Sequence, residues 1–200
     1  LRDATLYADD MWDAVLEAGK KHNLMVIAPA HHRRIQAGIL SWGQDLDHEH
    51  NPFQCNLGYQ VSLSGKGEWE KKADYIGKDA LEKMKAELAD GKKPYKLQLV
   101  GFELGGKPID EYAPDFWLVS PEDGGDPCGF ITSPWYHPEK GKNIAMGYIP
   151  FDGTLNANGF PKWELGKKFK VHLPDIYAEN PGEPVDCLLY TSPSPRDSSK

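Results

Sequence analysis

Residues 35–47 read IQAGILSWGQDLD, and residues 51–58 read NPFQCNLG. The first stretch has apolar residues at helical spacing, which predicts a helix over residues 31–42. Residues 24–27 in front of it form a short apolar run closed by Pro29, which predicts a buried strand. Helix and strand alternate in this part of the chain, which is typical of the last part of an α+β domain.

Two further helices are predicted on either side of this region. The first has Asp9 and Asp10 as cap candidates and ends at Gly19. The second covers residues 79–88 and ends at the Asp-Gly pair of residues 90–91.

The sequence pattern changes after the last of these helices. Short apolar or alternating runs, separated by Gly, Pro, Asp and Asn turns, cover residues 95–104, 116–119, 129–132, 143–149 and 169–173. Residues 64–72, before the last of these helices, form a polar, Gly-containing insertion. Repeated short strands with such turns predict an antiparallel barrel or sandwich. The expected fold class is therefore α+β, with a mixed lobe followed by an antiparallel β-barrel.

Composition and charge narrow the classes of partner. Hydrophobic residues make up 40% of the 200-residue chain, which is enough to bury a core. No apolar run approaches the roughly 20 residues that span a bilayer. A net charge of -7 disfavours binding to a phosphate backbone, which needs a clustered basic face. We therefore expect neither a nucleic acid nor a membrane as partner.

The three cysteines, Cys55, Cys128 and Cys187, form no Cys-x-x-Cys pair. Neither a disulfide framework nor a zinc site is indicated, and a reducing compartment fits best. We expect a cytoplasmic protein, or one of the mitochondrial matrix if the source is a eukaryote.

The first of four motifs is the pair of stretches within residues 35–58. The others are DYIGKDAL at residues 74–81, GFITSP at residues 129–134 and KNIAMGYIP at residues 142–150. In this order they resemble the motifs of the glycine cleavage T-protein and its relatives, the folate-dependent aminomethyltransferase family, and residues 60–63 resemble the strand that closes the family's folate region. One motif alone would be only a hypothesis, whereas four in the same order make a chance match a poor explanation.

The resemblance implies tetrahydrofolate-dependent transfer of an aminomethyl or methyl group. Its cofactor would be tetrahydrofolate, and its substrate a methylated or aminomethyl small molecule. Residues 1–74 would be the C-terminal part of the folate-binding transferase domain, and residues 75–186 the C-terminal β-barrel domain. A lipoyl carrier protein is implied as a partner only for a true T-protein. The family's pterin-gripping Glu and its catalytic Asp would lie before Leu1, so the catalytic residue is unknown and this segment alone is expected to be inactive.

Arg34, Arg33 and Trp42 are the candidate folate-binding residues. Arg34 matches the family's second arginine, and an arginine fork suits the carboxylate of a folate tail. The alternative is a helix arginine in a structural ion pair. Trp42 stands where the family usually has Tyr, so its flat ring could line a cofactor cavity or belong to the core. Ala30 stands where the T-protein has its main tail-holding arginine, which favours a relative such as the dimethylsulfoniopropionate demethylases.

Two further clusters carry side chains with functional chemistry. The polar loop after the first motif contains Asp45, Asp47, His48, Glu49 and His50. The two histidines would share one face of a strand and could bind a metal. The family uses no metal there, so the resemblance favours a solvated acidic loop and no metal site. Tyr136 and His137 are predicted in a turn between barrel strands, where loop residues often carry function.

Two other functions stay open at the level of sequence. One is the folate-binding tail of a dimethylglycine or sarcosine-type dehydrogenase. The other is a non-catalytic, folate-binding regulatory protein. A flavin-binding Gly-x-Gly-x-x-Gly domain upstream would select the dehydrogenase.

Residues 187–200 read CLLYTSPSPRDSSK. This stretch back-translates to the read-through of a transposase-based sequencing adapter. Its Ser/Pro run has no apolar period and cannot pack. We therefore expect residues 187–200 to be an adapter artefact, disordered and with few contacts, the alternative being a genuine disordered tail.

Overall fold

The computed structural model describes residues 4–27, 30–61, 63, 74–112, 115–157, 159 and 161–191. The chain divides into two compact units, residues 1–30 and residues 31–200. The predicted domain boundary at residue 74 stays a prediction. None of the described helices combines the length and the apolar character that a membrane span requires.

The first unit consists of one helix between two short 3-10 turns. Helix α1 covers Ala8–Gly19 and confirms the predicted helix. The flanking 3-10 turns are Ala4–Tyr7 and Lys20–His22. The N-cap residue is Tyr7, so the prediction of Asp9 or Asp10 as the cap is wrong. Both aspartates lie in the first turn, where a carboxylate interacts favourably with the helix dipole.

The prediction of a buried strand at residues 24–27 is wrong. These residues take no strand conformation, and their side chains are 50–79% exposed. A short apolar run needs a neighbouring strand to pair with, and the described part of residues 1–30 contains none. Pro29 lies outside the described residues.

Helix α2 covers His31–Gln36 and is shorter than the predicted helix over residues 31–42. It ends because Gly38 adopts the left-handed conformation, with φ of 66°. The Gly38 amide donates to the Ile35 carbonyl at 3.1 Å, and the Ile39 amide to the Arg34 carbonyl at 2.8 Å. This pair of bonds is a Schellman motif, which satisfies the last carbonyls of the helix and turns the chain away.

Helix α3 covers Lys78–Ala89 and confirms the helix predicted over residues 79–88. It ends where the sequence predicted, because Gly91 has φ of 76° and the Lys92 amide donates to the Glu87 carbonyl at 2.9 Å. Its apolar face packs on a cluster of buried side chains that is separate from the barrel core described below. That cluster contains Phe53, Leu88, Tyr95 and Phe151, with Leu81 and Met84 partly buried against it.

Six antiparallel strands close into a barrel in the second unit, which confirms the predicted fold class. In chain order they are β1 Leu97–Leu104, β2 Trp117–Pro121, β3 Gly129–His137, β4 Lys142–Pro150, β5 Lys168–Val171 and β6 Val185–Thr191. Around the barrel the order is β1-β4-β3-β2-β5-β6. Each strand places alternate apolar side chains in one core, among them Val100, Val119, Ile131, Ala145, Val171 and Val185. Closure pairs each of these six strands on both sides, which removes exposed strand edges.

The prediction that residues 187–200 are disordered and make few contacts is wrong for residues 187–191. Strand β6 pairs with β1 and β5, and the side chains of Cys187 and Leu189 are each 1% exposed. Val185, Cys187 and Leu189 point into the core in the alternation of a half-buried strand. Residues 192–200 lie outside the described residues. The adapter origin of the stretch stays a prediction, because any segment with this alternation closes the barrel equally well.

Two smaller predictions are also corrected. Tyr136 and His137 belong to β3 and do not form a turn, because the strand continues in register with β4 as far as His137 and Lys142. The described part of residues 60–63 forms no strand, since Gly58–Gln60 is a 3-10 turn. The predicted insertion at residues 64–72 lies outside the described residues.

The segment of residues 31–57 covers part of the outer face of the barrel. Ile35 of α2 packs on a cluster of buried side chains from β1 and β4, which consists of Leu99, Ile144, Met146 and Tyr148. The barrel wall between β1 and β3 is therefore buried on both faces. This contact brings the first motif onto the third and fourth.

Candidate functional site

A β-bulge in β3 is the starting point of the site. Ile131 pairs with Gly147 and Ser133 with Met146, so Thr132 is an extra residue without its own partner on β4. In a regular strand successive side chains point to opposite faces. The bulge instead lets the hydroxyls of Thr132 and Ser133 point to the same outer side, and both residues are 1% exposed.

Both hydroxyls donate to one carboxylate oxygen of Asp45. The Thr132 Oγ1 to Asp45 Oδ1 distance is 2.6 Å, and the Ser133 Oγ to Asp45 Oδ1 distance is 2.5 Å. The other oxygen, Oδ2, accepts from the Ser41 amide and from Arg34 Nη1, each at 2.8 Å. The Asp45 side chain has no exposed surface, so it holds its charge in the interior with four hydrogen bonds and one cation.

Arg34 supplies that cation, and all of its donors are engaged within the protein. Besides Asp45, its guanidinium donates to Gln44 Oε1 at 3.0 Å and to Ser133 Oγ at 2.7 Å. Longer bonds reach the Ile39 carbonyl at 3.3 Å and His31 Nδ1 at 3.4 Å. A guanidinium has five N–H donors, and five bonds are formed. Arg34 thus has the geometry of a structural ion pair, while its predicted role in folate binding stays a prediction.

Gln44 forms a second connection between Arg34 and strand β3. Its amide nitrogen donates to the Thr132 carbonyl at 2.9 Å, while its carbonyl oxygen accepts from Arg34. We call the set of Arg34, Gln44, Asp45, Thr132 and Ser133 the Asp45 clamp. It connects the first sequence motif to the third through side chains that are mostly buried.

The fourth motif joins the clamp through Tyr148. The Tyr148 hydroxyl donates to the Asp45 carbonyl oxygen at 2.6 Å and lies 3.5 Å from Cys55 Sγ. Burial raises the pKa of the Tyr148 hydroxyl and that of the Cys55 thiol. Both groups are protonated at neutral pH even at their ordinary pKa values, and burial moves them further from ionisation. Neither group is therefore a ready nucleophile or base, and their role is to hold the loop of residues 51–58 on the barrel.

Trp42 lies on a turn that the clamp closes. The Asp45 amide donates to the Ser41 carbonyl at 2.8 Å, and the Gly43 amide to the Leu46 carbonyl at 2.8 Å. Gly43 has φ of 81°, a conformation that suits glycine. The Trp42 ring is 62% exposed, so the core interpretation of this residue does not describe its position. The rings of Trp42 and His48 are nearly perpendicular, with their centroids 4.9 Å apart.

The other candidate positions differ in exposure. Arg33 is exposed, and its guanidinium has no hydrogen-bond or ion-pair partner among the described residues. Ala30 is half-buried and cannot replace the cation that the family carries at this position. Among the described residues of α2, Arg33 is therefore the arginine with donors available to a ligand.

The polar loop of residues 45–50 separates into different environments. Asp45 is buried in the clamp, whereas Asp47 accepts from the Glu49 amide at 2.8 Å and pairs with His50 Nδ1 at 2.7 Å. The Glu49 amide and His50 lower the pKa of Asp47. The two histidines turn to different neighbours, since the ring of His50 lies against Tyr148 and that of His48 against Trp42.

The end of β3 carries an aromatic cluster around α2. The rings of His31 and Trp135 are stacked with centroids 4.7 Å apart, and burial together with the Arg34 charge lowers the pKa of His31. His137 is 1% exposed and lies 2.8 Å from Gln36 Oε1 through its Nε2 atom. Of the two residues predicted in a turn, His137 therefore provides a buried contact between α2 and the barrel, whereas Tyr136 is half-buried.

Two motif glycines allow β3 and β4 to approach closely. A Cβ on Gly147 would overlap the Phe130 carbonyl and lie 2.9 Å from Ile131 Cα, and one on Gly129 would overlap the Tyr148 carbonyl. These contacts are with backbone atoms, which cannot move aside without breaking the ladder. The glycines keep the strands on both sides of the bulge in register.

Sequence reasoning missed Gln44, Thr132 and Ser133 as site residues and grouped Asp45 with a solvated loop. The motifs contain these residues, but nothing in their local pattern shows that a bulge places both hydroxyls on one carboxylate.

Proteins with established names are similar to this chain in sequence. The chain is 31% identical over 147 residues to an aminomethyltransferase of Halothermothrix orenii, which covers 72% of this chain and 36% of the relative. It is 32% identical over 143 residues to an aminomethyltransferase of Symbiobacterium thermophilum, covering 70% of this chain and 33% of the relative. The chain is a homologue of the aminomethyltransferases. This confirms the resemblance, while no protein-family profile matches the chain.

Two further proteins are similar to this chain. The dimethylsulfoniopropionate demethylase DmdA of Ruegeria pomeroyi is 29% identical over 167 residues, which cover 82% of this chain and 38% of the demethylase. The crystal structure of glycine cleavage system aminomethyltransferase T from Bartonella henselae has a TM-score of 0.54 and 20% identity. The match covers 80% of this chain and 36% of that protein, and the matched part has the same fold. The chain spans about a third of the length of the relatives that it matches.

Proposed function

We propose that this chain is the barrel and folate-facing part of a tetrahydrofolate-dependent one-carbon transferase. The observation that carries the proposal is the Asp45 clamp, because it unites three of the four motifs behind the resemblance. The carboxylate of Asp45 in the first motif accepts hydrogen bonds from the hydroxyls of Thr132 and Ser133 in the third, and its backbone carbonyl accepts one from Tyr148 in the fourth. The names of the relatives, an aminomethyltransferase and a demethylase, support the transfer of a one-carbon group.

The described residues fit tetrahydrofolate at two points. The exposed Trp42 ring offers a flat apolar surface to the pterin or the aminobenzoyl ring. The exposed guanidinium of Arg33 offers a planar fork to a glutamyl carboxylate. When bound, tetrahydrofolate would supply the nitrogen that accepts the one-carbon group. This chain would orient the cofactor and exclude water, and the acid or base would come from residues outside it.

The two donor groups considered for transfer are aminomethyl and methyl. The match to the aminomethyltransferases supports the first. The match to DmdA and the presence of Ala30 in place of a tail-holding arginine support a methyl donor of the dimethylsulfoniopropionate type as the second candidate.

A segment exchange tests the proposal. Residues 30–186 replace the matching segment of the Halothermothrix orenii aminomethyltransferase, whose own sequence supplies the rest of the last strand. We expect the chimera to bind tetrahydrofolate and to retain transfer activity. A folded chimera, with the parent's urea midpoint, that binds no tetrahydrofolate would overturn the proposal. The same exchange into DmdA separates the two donors, because the host that retains more activity identifies the donor class.

The role of Arg33 has its own matched control in this chimera. Loss of a hydrogen bond to a charged group costs about 1.5–3 kcal/mol, or about 10- to 150-fold in Kd. Arg33→Ala should therefore weaken tetrahydrofolate by this factor and leave a tetrahydropterin without the glutamyl tail unaffected. Arg34→Ala serves as the comparison. Equal losses for both ligands would identify the substituted arginine as a structural residue.

A further inference from the structure

We propose that Asp45 is a positioning residue whose buried carboxylate holds the Ser41–Leu46 turn and thereby fixes the exposed ring of Trp42 for contact with the ligand. This inference rests on the proposed function for the identity of the ligand. The positioning itself is argued from the geometry of the turn.

The turn is closed around Asp45 from both ends. Its carboxylate accepts from the Ser41 amide, and its own amide donates to the Ser41 carbonyl, so the two residues are joined by two bonds of 2.8 Å. On the other side of Trp42, Gly43 and Leu46 are bonded through their backbones. Trp42 and Leu46 also form an isolated β-bridge. The backbone on both sides of the Trp42 ring is therefore restrained.

The turn is also fixed to the barrel wall. The same carboxylate is bonded to two side chains of β3, Thr132 and Ser133, which lie 87 and 88 positions later in the chain. A turn restrained only by its own bonds would move as a unit, whereas this one cannot move without breaking bonds to the barrel. The position of the Trp42 ring is thus set by β3.

The restraint of the turn matters for ligand binding because the Trp42 ring is exposed. Burying a tryptophan is strongly favourable, and a large ring on a mobile loop would collapse onto nearby apolar surface. Here Trp42 is 62% exposed, and among the aromatic rings described its ring contacts only that of His48, in an edge-on arrangement. Holding an apolar ring outward in one place prepares a contact surface at a reduced entropic cost on binding.

Fluorine NMR of the 5-fluorotryptophan-labelled chain measures the positioning directly. The chain has six tryptophans, and loss of one resonance in Trp42→Phe assigns the signal of Trp42. We expect Asp45→Asn to broaden the Trp42 resonance by about twofold or more and to raise amide exchange in the turn by about tenfold. Glu49→Gln, which removes the same charge from an exposed residue four positions away, should leave both unchanged.

A purely structural role would give a different result. In that case folded Asp45→Asn would keep the wild-type line width of Trp42 and the wild-type exchange of the turn, even if its urea midpoint fell. This outcome would overturn the positioning role. If Asp45→Asn does not fold, Ser133→Ala decides, since it removes one hydroxyl from the carboxylate and leaves the ion pair. It should give a smaller change in the same two readouts, and no change would equally overturn the inference.

A separate experiment tests the contact between Trp42 and the ligand. Tetrahydrofolate added to the labelled chimera should shift the Trp42 resonance and leave a distant signal such as that of Trp117 in the barrel core unmoved. If Asp45→Asn broadens the Trp42 signal but tetrahydrofolate never shifts it, the positioning stands and the proposed ligand contact fails. If tetrahydrofolate shifts it equally in wild type and Asp45→Asn, with equal Kd, the ligand contact stands and Asp45 has no positioning role.

Discussion

Replacing Arg34 by methionine tests how much the Asp45 clamp contributes to folding. The substitution keeps an apolar stem of similar length and removes the cation and all five hydrogen bonds. The Asp45 side chain has no exposed surface, and that of Arg34 is 17% exposed. Removing one partner of a buried ion pair costs about 3–5 kcal/mol, because the remaining charge stays buried without compensation.

This loss is large enough to measure precisely. For a chain of this size each kcal/mol lowers Tm by about 2–4 °C, so the expected decrease is about 6–20 °C. Urea unfolding should show a lower midpoint with an unchanged m value, which indicates that stability has changed and the surface exposed on unfolding has not. Arg33→Met is the matched control. It removes the same charge from the exposed neighbour and should stay within about 0.5 kcal/mol of wild type.

A double-mutant cycle assigns the loss to the pair. Arg34→Met combined with Asp45→Asn should cost less than the sum of the single changes by about 1–3 kcal/mol, because each single change already breaks the interaction. The reasoning is refuted if Arg34→Met costs less than about 1 kcal/mol, as an exposed pair would. It is equally refuted if the two changes are additive.

Three further outcomes follow from the same structure. Gly147→Ala should lower the unfolding free energy by about 1–3 kcal/mol, because the new methyl group overlaps backbone atoms of Phe130 and Ile131; a urea midpoint equal to wild type would contradict this. The lowered pKa of His31 means that the unfolded state binds the proton first as pH falls through 6.5, so stability should decrease as pH falls below 6.5, and His31→Gln should flatten that decrease in urea midpoints. A genomic clone read across residues 186 and 187 should contain codons different from those of the adapter, encoding another segment that alternates apolar and polar residues; finding the same codons would refute the adapter origin.

The sequence predicted those parts of the fold that depend on local period. The apolar face of α3 and its Asp90-Gly91 end could be read directly, and so could five of the six strands. The length of α2 could not, because it depends on Gly38 adopting a left-handed conformation inside an apolar run. The strand at residues 185–191 was missed because its alternation was judged together with the Ser/Pro run that follows it.

The candidate site was less accessible to sequence reasoning. Arg34 and Asp45 were both noticed, but residue types alone do not show that one carboxylate is buried while its neighbour at Asp47 is exposed. Ser133 of β3 comes 88 residues after Asp45 and 99 residues after Arg34, and its approach to both depends on barrel register. Register is set by the packing of whole strands, so no local pattern could have predicted it.

The bulge at Thr132 links the length of a strand to its chemistry. Same-face side chains in a regular strand are about 6.6 Å apart, too far for two hydroxyls to reach one carboxylate oxygen. Here the eight residues from Phe130 to His137 lie opposite only seven of β4, and the surplus residue supplies the second hydroxyl. A homologue with one residue fewer at this point would keep Trp135 and His137 facing as they do now. It would lose one of the two hydroxyls that bind its carboxylate. A single gap in an alignment would thus report a change in hydrogen bonding that no substitution reveals.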